Sequence, residues 1–171
     1  MNQTKLLSVC ASLALAFVMI GCTSPTKATG GGQIEAFDSY PISGGSFGFN
    51  GDSCEGSVTG QFNYVDHSVR IDGGVKLHGQ VTDAYLCDDA TLGCDNCATG
   101  EVVITADYRS TNPTFRGEGT VTVCLSDGGE GKGATDTAGL SINGGPFDGY
   151  SVAGVVSGNV QEHGCDEDDS L

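Results

Sequence analysis

Eight cysteines carry the most chemistry that this 171-residue chain has to offer. Six of them, Cys54, Cys87, Cys94, Cys97, Cys124 and Cys165, are spread through its patterned part. An even set of this kind reads as up to three disulfides, and spacing alone leaves their connectivity open among fifteen possibilities. Cys87, Cys94 and Cys97 also offer thiolates at zinc-ligand spacing. A structural zinc site would need a second C-x-x-C or a histidine pair beside them, and the chain has neither. Redox use of Cys94-Asp95-Asn96-Cys97 would need a helix or βαβ unit around it, which the pattern does not supply. Disulfides are therefore the expectation, with residues 86–99 forming a loop tied to itself.

Other groups that could do chemistry are scattered. Asp88, Asp89 and Asp95 share one acidic loop, and Asp127, Glu130 and Asp136 share another. Calcium takes six to eight oxygens, so these carboxylates are the candidate calcium ligands, although no EF-hand spacing is present and solvated acidic loops are the simpler expectation. His67, His78 and His163 could hold zinc only if two of them met a carboxylate across strands; hydrogen bonding at strand ends is the plainer role. Gly44-Gly45-Ser46-Phe47-Gly48 spells a nucleophile elbow but precedes no helix. Gly129-x-Gly131-x-x-Ala134 imitates a dinucleotide loop with the same defect, and Lys132 lacks the rest of a P-loop. No nucleophile, base and oxyanion donor converge, so no catalytic residue is expected and the chain reads as a non-enzyme. Calcium apart, no cofactor is implied.

Ahead of these groups, Lys5 is the single positive charge before an apolar run over residues 6–20 that ends at Gly21-Cys22. A charged start, a short apolar stretch and a small residue before the cut form an export signal. The run is short for a spanning helix of about 20 residues. Met19-Ile20-Gly21-Cys22 resembles the bacterial lipobox, with Met where Leu is commoner. The resemblance implies cleavage before Cys22, a diacylglyceryl group on its sulfur and a palmitate-type acyl chain on its amine. Such chains anchor through about 0.8 kcal/mol per buried CH₂. Thr23 is not the Asp that retains lipoproteins at the inner membrane, which points to the outer membrane or cell surface. The organisation expected is a signal peptide over 1–21, a flexible tether over 22–31 with no apolar periodicity, one β domain over 32–165, and an acidic tail over 166–171.

The elements follow from composition and period. The chain holds 28 Gly and no Trp, and Gly costs about 1 kcal/mol in a helix interior. Alternation of period two recurs instead: Val75-x-Leu77-x-Gly79-x-Val81, Val102-x-Ile104-x-Ala106-x-Tyr108, Phe115 through Val121 and Val123 to Leu125, and Tyr150 through Val152 and Val156 to Val160. Shorter pieces are expected at 33–37, 46–50, 57–66, 68–72 and 139–143, with a bulge near Tyr64-Val65. The fold class expected is all-β: an antiparallel sandwich or flattened barrel of about eight to nine strands, stapled by disulfides. Seven Lys+Arg face 22 Asp+Glu, for a formal net charge of −15. That balance excludes binding that works by neutralising nucleic-acid phosphates or anionic headgroups.

Gly31-Gly32-Gln33-Ile34, Ser46-Phe47-Gly48-Phe49-Asn50, Tyr64-Val65-Asp66-His67, Val75-Lys76-Leu77-His78-Gly79, Val121-Thr122-Val123-Cys124-Leu125-Ser126-Asp127-Gly128-Gly129 and Gly158-Asn159-Val160-Gln161-Glu162-His163 follow one another in an order that resembles the post-COAP domain family. The resemblance implies an exported bacterial β domain without an established activity, and supplies no catalytic residues. Gly131, where that family has Pro, and the six cysteines with their 86–99 insertion depart from it. The function expected is a lipid-anchored envelope lipoprotein, structural or presenting its loops to an envelope protein or glycan. The alternatives are a barrel that carries a small ligand and a calcium-stabilised adhesion-type module. Contact with the membrane is expected through the anchor alone.

Overall fold

A computed structural model describes residues 23–37, 44–67, 71–129 and 134–165. The signal peptide, Cys22, Glu130 and the acidic tail lie outside the described residues. The strands are β1 (Thr23–Pro25), β2 (Lys27–Ala36), β3 (Ser46–Asp52), β4 (Thr59–Asp66), β5 (Val75–Cys87), β6 (Val102–Ser110), β7 (Glu118–Ser126), β8 (Thr137–Asn143) and β9 (Ser151–Glu162), with two short 3₁₀ turns at Ala90–Leu92 and Gly145–Phe147. From β2 to β9 each strand pairs antiparallel with the next. β9 then returns to β2 along a register from Ala28↔Glu162 to Ala36↔Gly154. The sheet closes on itself as an eight-stranded up-and-down barrel, so of the two architectures expected the chain adopts the barrel. β1 lies outside the ring, against the end of β5 at Thr23↔Cys87.

Alternation decides which side chains fill the barrel. Phe47 and Phe49 from β3, Phe62 and Tyr64 from β4, Leu77 and Val81 from β5, Ile104 and Tyr108 from β6, and Leu125, Leu140, Ile142 and Val160 from the later strands all turn inward, in one contiguous buried cluster. An eight-stranded barrel leaves an interior that side chains can fill or that can hold one small ligand. Two inward glycines show how tightly it is filled here. A methyl built on Gly30 would stand 2.8 Å from Phe49 Cε1, and one on Gly51 would stand 2.7 Å from Ile104 Cδ1. Each glycine makes the room that a larger side chain occupies.

The outer side carries a second, smaller cluster. Two disulfides, Cys87–Cys94 and Cys97–Cys124, fold the β5–β6 connection back over Val103, where the cysteines pack with Tyr85 and Ala90. The third, Cys54–Cys165, joins the β3–β4 connection to the chain after β9. Their sequence separations of 111, 27 and 7 residues correspond in the chain-entropy treatment to roughly 5, 3.5 and 2.5 kcal/mol. The bridge that spans the longest loop is the strongest staple.

Four local expectations change. Residues 23–31, read as tether, lie mostly in β1 and β2; the Gly30-Gly31-Gly32 run looks like linker but serves close packing against β3 and β9. β4 alternates without a break through Gly60, Phe62, Tyr64 and Asp66, all buried, so the bulge expected at Tyr64-Val65 is absent there. It falls in β5 instead, between Val81 and Asp83. Residues 71–72 form a bend and turn and not strand, and β7 starts at Glu118, three residues after Phe115.

A filled interior has a measurable consequence. Gly51→Ala should lower the unfolding free energy in urea by about 1–3 kcal/mol through overpacking against Ile104, and Ile104→Val on the same chain should recover part of the loss. A methyl added beside an open ligand space would instead leave stability unchanged or raised.

Candidate functional site

Up-and-down connectivity sorts the molecule into two ends. The β2–β3, β4–β5, β6–β7 and β8–β9 connections leave one end, called distal here. β1, the other three connections, the chain after β9 and all three disulfides belong to the opposite, proximal end.

A buried polar relay closes the distal end. Asp66, at the end of β4, is fully buried and accepts a 2.7 Å hydrogen bond from the Tyr150 hydroxyl. The Tyr150 and Tyr64 hydroxyls are 2.5 Å apart. Tyr150 gives its one proton to the carboxylate, so Tyr64 donates to Tyr150. Burial holds both phenols well above their ordinary pKa of 10.0; the charge of Asp66 adds to this at both, and Tyr64 also raises Tyr150. The relay is a latch between β4 and Tyr150, the residue that leads into β9. Two further side chains complete the closure. The Tyr108 hydroxyl donates to the Gly144 carbonyl at 2.9 Å. Buried Asn112 donates to the Asp72 and Gly74 carbonyls and accepts from the Thr114 and Phe115 amides, which uses its whole side-chain amide.

The sequence-predicted candidates do not assemble. His78 Nδ1 is 2.8 Å from Asn63 Oδ1 on the outer face, His163 Nε2 is 3.0 Å from Thr29 Oγ1 at the proximal end, and His67 is exposed just after β4. Ser46 of the apparent elbow is the first residue of β3, paired with Val65, and no helix follows it. Cys94-Asp95-Asn96-Cys97 is a tight turn: Cys97 N–H reaches the Cys94 carbonyl at 2.8 Å, and Asp95 and Asn96 both have positive φ. Asx residues tolerate that conformation best among non-glycines, so backbone geometry accounts for the sequence of the motif.

The acidic loops use their carboxylates internally. Asp88 accepts from Ser24 Oγ at 2.6 Å and Asp95 from the Tyr85 hydroxyl at 3.0 Å. Asp89 caps the first 3₁₀ turn through the amide and hydroxyl of Thr91, which hold its carboxyl below the usual range. Asp127 accepts from the Gly129 and Glu162 amides, and Asp136 from those of Gly128 and Val160, so this pair ties the β7–β8 connection to β9. Among the described residues, the one group of three potential metal ligands lying together is Cys97, Glu101 and Cys124, and its two sulfurs are joined to each other. No protein-family model, curated protein or solved structure matches this chain.

Sequence reasoning missed Asp66 and Tyr150 as a pair, since the bulge expected at Tyr64-Val65 interrupts the alternation just before Asp66. Their signal was the parity of β4, which puts Asp66 in line with Phe62 and Tyr64.

The relay sets a pH dependence. The folded barrel keeps protons on Tyr64 and Tyr150 that the unfolded chain gives up near pH 10, so stability is full below about pH 10 and falls as pH rises beyond it. In an absorbance titration of the five tyrosines, these two should ionise only together with loss of the fold. Ionisation of both near pH 10 with the fold intact would contradict the relay.

Proposed function

We propose that this chain is an exported, lipid-anchored, non-catalytic barrel of the bacterial envelope that presents its distal end to a partner. The filled interior carries the reading. A carrier needs open space lined by apolar side chains, and here the room beside the strand glycines is taken by Phe49 and Ile104.

Polarity supports the anchored reading. The outward residues of β4 to β7 include Gln61, Asn63, His78, Gln80, Asp107, Arg109, Glu118 and Thr120, while the apolar residues face in. That is the reverse of a barrel that crosses a bilayer. A net charge of −15 offers no attraction to anionic headgroups, so membrane attachment falls to acyl chains on Cys22. Thr23, the neighbour of Cys22 in the sequence, is paired to β5 at the proximal end, which supports an anchor on that side and a distal end facing away from it. Among the described residues, the exposed large hydrophobics are Phe37 and Phe115, and both follow the distal ends of strands. The resemblance to post-COAP domains, exported β domains themselves, agrees with this placement.

Metabolic labelling with an alkyne fatty acid tests the anchor. The native chain should take up label and fractionate with membranes, and Cys22→Ser should lose both properties. An unlabelled native chain recovered as a soluble precursor would end this reading.

A further inference from the structure

The chain is strongly acidic, yet much of its positive charge gathers in one place. Of the described cations, Lys27 sits at the proximal end in a 3.6 Å ion pair with Asp52. Arg109 and Arg116 both line an open groove of about 720 Å³ beside the β6–β7 connection, at the distal end. Lys76 is one strand away, its carbonyl accepting from the Thr111 amide of the same groove. Glu118 stands opposite Arg109 in register. Even so, among the described residues neither arginine is ion-paired, and both are exposed. Two guanidinium groups left unpaired on a chain with 22 carboxylates form a ready site for one compact anion, since a guanidinium matches a carboxylate through two parallel hydrogen bonds.

The surroundings narrow the ligand. The groove continues onto the outer face of β5 to β7, where Gln80, Asp107 and Thr120 form one lateral row and His78, Arg109 and Glu118 the next. These are donors and acceptors of the kind that bind vicinal hydroxyls. No apolar residue lines the groove to hold a peptide side chain, and a pair of guanidinium groups matches one planar carboxylate better than the spread charge of a polyphosphate. We propose that this distal groove binds an acidic sugar of a glycan, with Arg109 and Arg116 taking the carboxylate and the polar rows taking the hydroxyls. The inference rests on the display reading only in requiring the distal end to face outward; binding by the purified protein is independent of the anchor, so the two can fail separately.

The experiment is calorimetric titration of the full chain in detergent at low ionic strength, with a galactose trisaccharide that carries a single terminal galacturonate, neutral galactotriose and inorganic phosphate as probes. Saturable binding of the monouronate trisaccharide, with galactotriose silent and phosphate at least tenfold weaker, is expected. Arg109→Gln and Arg116→Gln should each weaken binding tenfold or more, and Glu118→Gln should tighten it, all with unchanged melting temperature because these side chains are exposed and unpaired. Absent binding, equal affinity for the neutral trimer, phosphate as strong as the uronate, or affinity that survives both arginine substitutions would overturn the proposal.

Discussion

Closure of the sheet by the β2–β9 pairing is the constraint on which the rest of the molecule depends. A sheet with free ends would present two rows of unpaired amides and carbonyls and invite other strands. Joining Ala28–Ala36 to the last strand removes both edges of the ring, and with eight strands it also fixes the interior width. Every inward position must then be filled to close packing or left as a void. The chain fills it with aromatic and branched side chains set against glycines on facing strands, and a chain with 28 Gly obtains a continuous core.

Closure also divides labour between the ends. Proximally, three disulfides, the Asp127 and Asp136 carboxylates and the outside cluster around Val103 hold loops and the segment that follows β9 against the barrel. Distally there is no disulfide among the described residues. Closure there relies on buried hydrogen bonds from Tyr64, Tyr150, Tyr108 and Asn112, and the unpaired arginines sit just outside it.

Much of this architecture was legible in the sequence because period two is a direct readout of facing. The strands centred on Val75–Val81, Val102–Tyr108 and Val152–Val160 are where alternation put them, and the six cysteines are oxidised in pairs. What was not legible has a common cause: each case depends on a partner far away in the chain. Gly30-Gly31-Gly32 reads as linker until β9, some 130 residues later, is laid beside it. Asp66, just past the bulge expected at Tyr64-Val65, shows no partner until the hydroxyl of Tyr150 is placed over it. The bulge at Val81 and Asp83 has no local signal, since Asp83 and Ala84 look like ordinary turn and strand residues. The choice between sandwich and barrel likewise turned on one long-range pairing.

Amide hydrogen exchange along β2 is the most direct measurement of barrel closure. With β2 sealed between β3 and β9, the amides of Ala28, Gly30, Gly32 and Ile34 should be protected to the same degree as those in the middle of β6. Exchange of these amides at the rate of an unstructured chain, while β6 remains protected, would mean that the segment is a tether after all and that the sheet is open.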